Sequence, residues 1–295
     1  MPGNDNYVVH LTMTDINSQN QNTGILDVNK TGDSNFQYYR IFKADDNGKT
    51  FMFSPMIPER GRYILQYKDN ISQSAKVEIF SAFQHAAYPP FYDEPVHLPE
   101  MEPDSAFQIN FDEGAAELLL ETAGLYRIRL DDESVNGALL YHFFQGFPYF
   151  DDENHKLYPL RYLTSNEEFI KLISHPDPAD AVDIFWTTMA GTYERGTKTV
   201  DRFYNNVKNA NKLFATWKEG WKTDRGMIYS VFGPPDRVAK NDESETWTYY
   251  GTWRIPHTEF VFSKTETPIG VNCFELERHP HYKSPWFQVI ENIRR

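Results

Sequence analysis

Glu219-Gly220-Trp221-Lys222-Thr223-Asp224-Arg225-Gly226-Met227-Ile228-Tyr229-Ser230-Val231-Phe232-Gly233-Pro234-Pro235-Asp236 is the stretch around which the chain is organised. Thr223 is placed to cap a short helix with its hydroxyl, and Asp224 falls in the first turn, where the helix dipole favours negative charge. Ile228, Val231 and Phe232 share one face, which Met227 widens. Gly226 leaves one side bare for another backbone to approach. Gly233 suits the left-handed C′ position that closes a helix, and Pro234 and Pro235 forbid continuation. The pattern predicts a capped helix of roughly ten residues. Beyond it, 237–240 and 246–250 read as two strands around the turn-prone Asn241-Asp242-Glu243. These residues describe a structural unit and name no reaction.

A helix of that length is marginal alone, so tertiary packing must hold it. Trp221 precedes the cap and is expected to be buried, folded back towards Phe214 or Trp217, while Trp247 and Tyr249 present one strand face on the other side. Upstream, Val200, Phe203, Val207, Ala210, Phe214 and Trp217 alternate steps of three and four, which predicts a helix over 197–218. Ser165-Asn166-Glu167-Glu168 is a capping box leading into a helix whose face carries Phe169, Leu172 and Ile173, flanked by Ile170. A further helix holds Ile184-Phe185-Trp186. Downstream, 246–254, 259–264 and 271–277 read as strands. Residues 157–295 are therefore predicted to form an α+β domain, helices followed by a small antiparallel sheet.

Before about residue 150 the period is two. Segments 7–13, 36–42, 62–67, 75–80, 107–111, 126–130 and 138–143 read as strands, parted by turns such as Asp46-Asn47-Gly48 and Glu59-Arg60-Gly61. Residues 1–150 are predicted to form an antiparallel β-sandwich, mainly β in class. Gly61-Arg62-Tyr63 and Gly124-Leu125-Tyr126 repeat one pattern and suggest two similar sheets. Between them, 88–104 carries five prolines and reads as an extended crossover or linker.

The chain has 295 residues, enough for two cores, with 40% hydrophobic and 16% aromatic residues. Its formal net charge of -13, without a dense basic run, argues against nucleic acid as a partner. Cys273 stands alone, which excludes an internal disulfide and a multi-cysteine metal site, and its strand-like context reads as a buried inert thiol. No apolar run reaches transmembrane length. Residues 1–6 carry neither a signal-peptide pattern nor a lipobox cysteine.

Candidate chemistry is sparse. His279-Pro280-His281 offers two imidazoles but no third ligand at a recognisable spacing, and reads as exposed histidines. Asp151-Asp152-Glu153-Asn154-His155 lacks the spacing and glycine of a calcium loop, and Asp112-Glu113-Gly114 is turn chemistry. No Gly-rich phosphate loop, GxSxG elbow or HExxH pair occurs. Neither a metal nor a cofactor is expected. Asp224 and Arg225 beside Gly226 admit two readings, a binding notch or a helix start with a locally paired arginine.

Gly220-Trp221-Lys222-Thr223-Asp224, followed by Arg225-Gly226 and Phe232-Gly233-Pro234-Pro235-Asp236, resembles the GWxTD family of bacterial envelope proteins best known from Bacteroidota. The likeness extends through Pro159-Leu160-Arg161-Tyr162, Phe185-Trp186 and Asn209–Phe214, and reaches Gly124-Leu125-Tyr126 and Phe147-Pro148. A looser local similarity links the helix ending in Gly-x-Pro, and the strand with Trp247-Thr248-Tyr249, to the small lipoprotein subunit of the outer-membrane β-barrel assembly machine. Asp104-Ser105-Ala106 is similar to the short O-glycosylation signal of Bacteroidota envelope proteins, and also reads as a turn. The family carries no established catalysis. Its members generally bear export signals, so the resemblance implies a mature chain from which such a segment has been trimmed, working in the periplasm or at the outer membrane.

The leading expectation is a non-enzymatic envelope protein, a subunit or scaffold of an outer-membrane-associated complex that binds other envelope proteins. Its motif residues are Gly220, Trp221, Thr223, Asp224, Arg225, Gly226, Gly233, Pro234, Pro235, Trp247 and Tyr249. The alternative is a carbohydrate-binding or carbohydrate-processing protein that offers aromatic faces to sugars. An enzyme ranks third. Coplanar exposed rings in a groove favour sugar, a broad apolar patch favours protein, and converging perturbed side chains favour catalysis.

Overall fold

In strand β5 (Gly61–Tyr67) Tyr63 and Leu65 point inward while Arg62 and Gln66 face solvent, the alternation that a half-buried strand imposes. The computed structural model describes residues 6–14, 21–29, 39–45, 48–52, 55–67, 69, 71–81, 85–97, 100–130, 138–149, 153–189, 193–252, 256–267 and 272–294. Strands β1 (Asn6–Thr14) and β2 (Gln21–Asn29) pair as an antiparallel hairpin. Two four-stranded antiparallel sheets follow. One has the order β4-β3-β5-β8, with β3 Tyr39–Asp45, β4 Gly48–Met52 and β8 Ala115–Leu120. The other has the order β10-β9-β6-β7, with β6 Ser74–Phe80, β7 Ser105–Asn110, β9 Gly124–Arg129 and β10 Ala138–His142. Ile41, Tyr63, Leu65 and Leu118 from the first sheet share one core with Val77, Ile109, Ile128 and Leu140 from the second. This is the sandwich read from the sequence.

The repeated Gly-x-Tyr pattern has a structural counterpart in each sheet. The Tyr63 hydroxyl donates to the Glu59 carbonyl (2.8 Å) and the Tyr126 hydroxyl to the Thr122 carbonyl (2.7 Å), each four residues back. Both tyrosines are fully buried, and both follow a glycine of positive φ. These are tyrosine corners, which fix where a sandwich strand leaves its loop.

The C-terminal half begins with helix α1 (Glu153–Leu157) and a 3-10 turn over Tyr158–Leu163. Helices α2 (Asn166–Ile173), α3 (Pro178–Met189) and α4 (Tyr193–Phe214) follow. A 3-10 turn (Gly220–Lys222) leads into α5 (Asp224–Phe232). A meander, β11 (Arg237–Lys240), β12 (Ser244–Tyr249), β13 (Thr258–Glu266) and β14 (Asn272–Leu276), ends in α6 (Lys283–Arg294). The helices-then-sheet order agrees with the α+β reading. No helix among the described residues is long and apolar enough to cross a membrane.

Three expectations need correction. Helix α4 stops at Phe214, so Trp217 leaves the helical stripe. It packs instead with Phe80, Leu125, Phe143, Phe144 and Phe147, an aromatic cluster that joins the sandwich to the C-terminal half. Helix α2 has its capping box, with Ser165 accepting from the Glu168 amide and Glu168 from the Ser165 amide, but buries no residue completely. Ile170 and Ile173 stay exposed. Finally, the 88–104 crossover is extended but docked. Ala86, Ala87 and Phe91 pack into the C-terminal core, the His279 amide donates to the Pro90 carbonyl (3.0 Å), and Arg278 donates to the Tyr88 carbonyl (3.3 Å).

Candidate functional site

Three backbones stack at the motif. A Cβ on Gly220 would lie 2.0 Å from the Ala210 carbonyl oxygen on α4, and a Cβ on Gly226 would lie 1.7 Å from the Gly220 oxygen. Only glycine fits at either contact, and the backbone that approaches Gly226 is the motif's own 3-10 turn. Thr223 locks the two layers together: its hydroxyl accepts from the Gly226 amide (3.0 Å) and donates to the Gly220 carbonyl (2.7 Å). On the α4 side the side-chain oxygen (Oδ1) of buried Asn211 accepts from the Trp221 amide (3.1 Å).

Trp221 is buried. Its ring meets Tyr162 edge-on at 5.8 Å, its indole N–H donates to Glu219 (2.5 Å), and its carbonyl accepts from the Tyr162 hydroxyl (2.9 Å). The predicted packing against Phe214 or Trp217 is not what forms. Phe214 meets Tyr229 (5.5 Å) and Trp247 (5.3 Å), because the 3-10 turn carries Trp221 towards the Tyr158–Leu163 turn. Trp247 and Tyr249 are both buried on the inner face of β12, as period two requires.

Asp224 does more than start a helix. Its carboxylate accepts from the Leu276 amide (2.7 Å) and from both terminal nitrogens of Arg278 (3.0 and 2.5 Å), which ties α5 to the end of β14. Arg225 is not locally paired. It reaches Glu245 on β12 at 3.2 Å, and its guanidinium lies 4.3 Å from the Phe274 ring centre. At the other end Gly233 has φ 82 and ψ -164, a glycine region distinct from the predicted left-handed helical one. That turn aims its carbonyl at the Tyr249 hydroxyl, which donates at 2.8 Å. Pro234 is exposed and Pro235 half-buried.

Two hollows flank the motif, with residues 85–88 of the docked crossover lining both. The larger is a cleft of about 890 Å³ between the crossover, the Tyr158–Leu163 turn, α2 and α6, with Trp221 and Lys222 among its lining. Its rim exposes aromatic rings: Tyr158 is 50% exposed, Phe287 46% and Tyr88 45%. Burial, and next the charge of Asp224, pushes the Tyr162 hydroxyl well above the usual phenol range.

The smaller hollow, about 170 Å³, is lined by Thr223, Asp224 and Arg225 of the motif and by Thr216, Lys218, Cys273, Glu275 and Arg278. Burial pushes the Cys273 thiol up to about 11 and raises the Glu275 carboxyl, with help from the charge of Asp224. Burial also lowers the Lys218 ammonium, which sits 4.7 Å from the Trp217 ring centre. Cys273 is thus the buried thiol expected from its strand. Lys218, Thr216 and Glu275 were missed, because nothing local marks a lysine in a bend after a helix as facing a cavity.

The remaining candidates place simply. His279 and His281 are exposed, with their Nδ1 atoms turned towards each other. Among the described residues, no three His, Cys, Asp or Glu side chains are grouped to hold a metal. Asp151 and Asp152 lie outside the described residues. Ser105 is exposed at the start of β7.

No curated protein and no solved structure matches this chain. The likeness to the β-barrel assembly lipoprotein therefore stays one of local pattern. The GWxTD domain family does match, over residues 124–295, more than half of the 295. That span runs from β9 of the sandwich to the C-terminus and contains the whole glycine-stacked turn. The chain belongs to the GWxTD domain family.

Proposed function

We propose that this is a non-enzymatic cell-envelope protein, a subunit or scaffold of an outer-membrane-associated complex of Bacteroidota type, which binds a partner protein through the large cleft. The cleft carries the reading: about 890 Å³ of mostly apolar concavity with Tyr158, Phe287 and Tyr88 exposed around it. Exposed aromatic anchors around a concave apolar surface are what a protein segment docks against. The motif serves that surface indirectly. It fixes Trp221 and Lys222 in the cleft wall, and its 220–224 turn is buried, so it acts as the joint that positions the walls.

The carbohydrate reading finds less support. Sugar platforms need free ring faces side by side, whereas Phe91 and Phe287 meet at 38° and Tyr88 stacks on Tyr92 at 4.4 Å, each covering the other's face. Site-directed photocrosslinking in native envelopes separates the two. A benzophenone amino acid at Tyr158 or Phe287 should give one protein adduct of the same mass, absent when the probe replaces exposed Leu119 on the sandwich. Glycan adducts, or equal labelling at all three positions, would sink the proposal.

A further inference from the structure

On the wall of the large cleft, Arg294 takes Glu168 (2.6 Å) and also donates to the Leu163 carbonyl (3.0 Å), while Lys222 takes Glu219 (2.7 Å). Arg161, on the same wall, has no such partner. Its guanidinium forms no ion pair and no hydrogen bond among the described residues, and Glu291, the other acid of the wall, does not reach it. Instead it lies 5.3 Å from the ring centre of Phe169, which also lines the cleft. An arginine stacked on a ring keeps its planar fork of N–H donors available at the edge. Those donors are open to the cleft. Arg161 is only half-buried, and the buried polar atoms without a partner belong to His142, His155, Thr216 and Arg278.

From this we infer that the occupant of the cleft is an acidic-apolar segment of a second protein. Its apolar side chains meet Tyr158 and Phe287, and one Asp or Glu side chain takes the Arg161 fork. This deepens the partner binding proposed above and rests on it. Charge complementarity carries the choice. Covering an unpaired guanidinium on a mostly apolar wall costs free energy unless an anion comes with the cover. A carboxylate is the anion that its fork holds by two parallel bonds. The net charge of -13 disfavours a polyanion, so a single carboxylate among apolar side chains is the better fit. That carboxylate belongs to a side chain. Capture of a chain terminus uses converging backbone amides, and at the start of α2 the Ser165 and Glu168 amides are already taken by the capping box.

The test starts from the photocrosslinker at Phe287 in native envelopes. The crosslinked peptide, sequenced by mass spectrometry, should carry an Asp or Glu flanked by apolar residues. That peptide, synthesised with a fluorophore, is then titrated with the purified full chain and followed by anisotropy. Replacing one Asp or Glu of the peptide by Asn or Gln should weaken binding about tenfold, and Arg161→Gln should do the same. The two changes together should cost little more than either alone, as groups that pair require. Arg161→Lys, which keeps the charge and loses the fork, should recover part of the affinity. The melting temperature of Arg161→Gln should hardly move, since no ion pair within the chain is lost, which separates the effect from misfolding. Any of four results would overturn the inference: a crosslinked peptide without an acid, fully additive losses, loss of affinity on amidating the peptide's C-terminus instead, or an adduct of twice the chain's own mass, which would mean a second copy. No adduct in the wild type would sink the cleft reading and this inference with it. An adduct whose peptide binds Arg161→Gln as tightly as the wild type would sink this inference alone.

Discussion

The sandwich and the motif both bury carboxylates, and they do so by different means. In the sandwich a single acid, Glu78 on β6, gathers Arg127 (2.7 Å), Arg129 (2.8 Å) and Lys76 (3.2 Å). All four residues lie on two neighbouring strands, with Glu78 directly opposite Arg127 and Lys76 opposite Arg129. Strand register alone brings them together. In the motif Asp224 and Arg225 find partners 54 and 20 residues away on other elements. The sandwich cluster thus stabilises one sheet locally, whereas each motif pair holds one element against another. Charge pairing in a sheet follows from period two; at a joint it follows from the whole fold.

Substitutions can break that contrast, and the largest effect belongs to the glycine contact. Gly226→Ala would push a methyl into the Gly220 backbone at 1.7 Å, with no rotamer to relieve it. It should cost more than about 5 kcal/mol and leave the C-terminal half unfolded. All six tryptophans lie beyond residue 180, so tryptophan emission follows the C-terminal half, with Trp217 also sensing the sandwich residues it packs against. An unchanged emission transition would mean that the three-layer contact is loose.

Trp221→Ala should come next, at about 3–5 kcal/mol, the range for emptying a large core position. If the melting temperature instead stayed fixed while crosslinking at Phe287 vanished, Trp221 would be a recognition residue and the joint reading would fall.

Glu78→Gln tests the sandwich side. Burial by itself would raise this carboxyl, but hydrogen bonds from Arg129, Arg127 and Lys76 more than offset it and hold it down at about 2. A depressed folded pKa gives stability that is fully present above the unfolded value of 4.5 and lost as pH falls towards 2. The contribution is about 3 kcal/mol. Far-UV circular dichroism melts should therefore lose stability across that window in the wild type, and much less in Glu78→Gln.

Gly233→Ala should cost less, about 2 kcal/mol, because its neighbours leave room at 3.5 Å and only the positive φ resists a side chain. Denaturant midpoints of Gly226→Ala and Gly233→Ala therefore separate crowding from backbone strain within one helix. The smallest effects should come from the corners. Tyr63→Phe and Tyr126→Phe each remove a buried hydroxyl that satisfies a carbonyl, worth about 1 kcal/mol. Tyr126→Phe should be the costlier, since the Tyr126 hydroxyl also accepts from the Thr122 amide. Equal midpoints would show that this extra bond adds nothing.

Much of the architecture was legible residue by residue. The capping box at Ser165, the Thr223 cap, the α4 stripe through Phe214 and the inward alternation of β5 are local patterns, and they formed where read. Strand β8 was harder, because Ala115-Ala116-Glu117-Leu118-Leu119-Leu120 is made of helix formers and is held extended by pairing with β5. Helix α6 carried a signal that was passed over: Trp286, Val289, Ile290 and Ile293 sit at helical spacing and are all buried.

The sequence by itself determined the periods, the caps and the stops, because each depends on neighbours within a few residues. Tertiary structure decided which ring Trp221 would meet, that Arg225 would cross to Glu245, and that the proline-rich crossover would dock as a shared wall of two hollows. It also decided that Thr216, Lys218 and Arg278 would line one cavity. Such contacts join residues tens of positions apart, and their geometry is set by how helices and sheets pack, which no local pattern of side chains encodes.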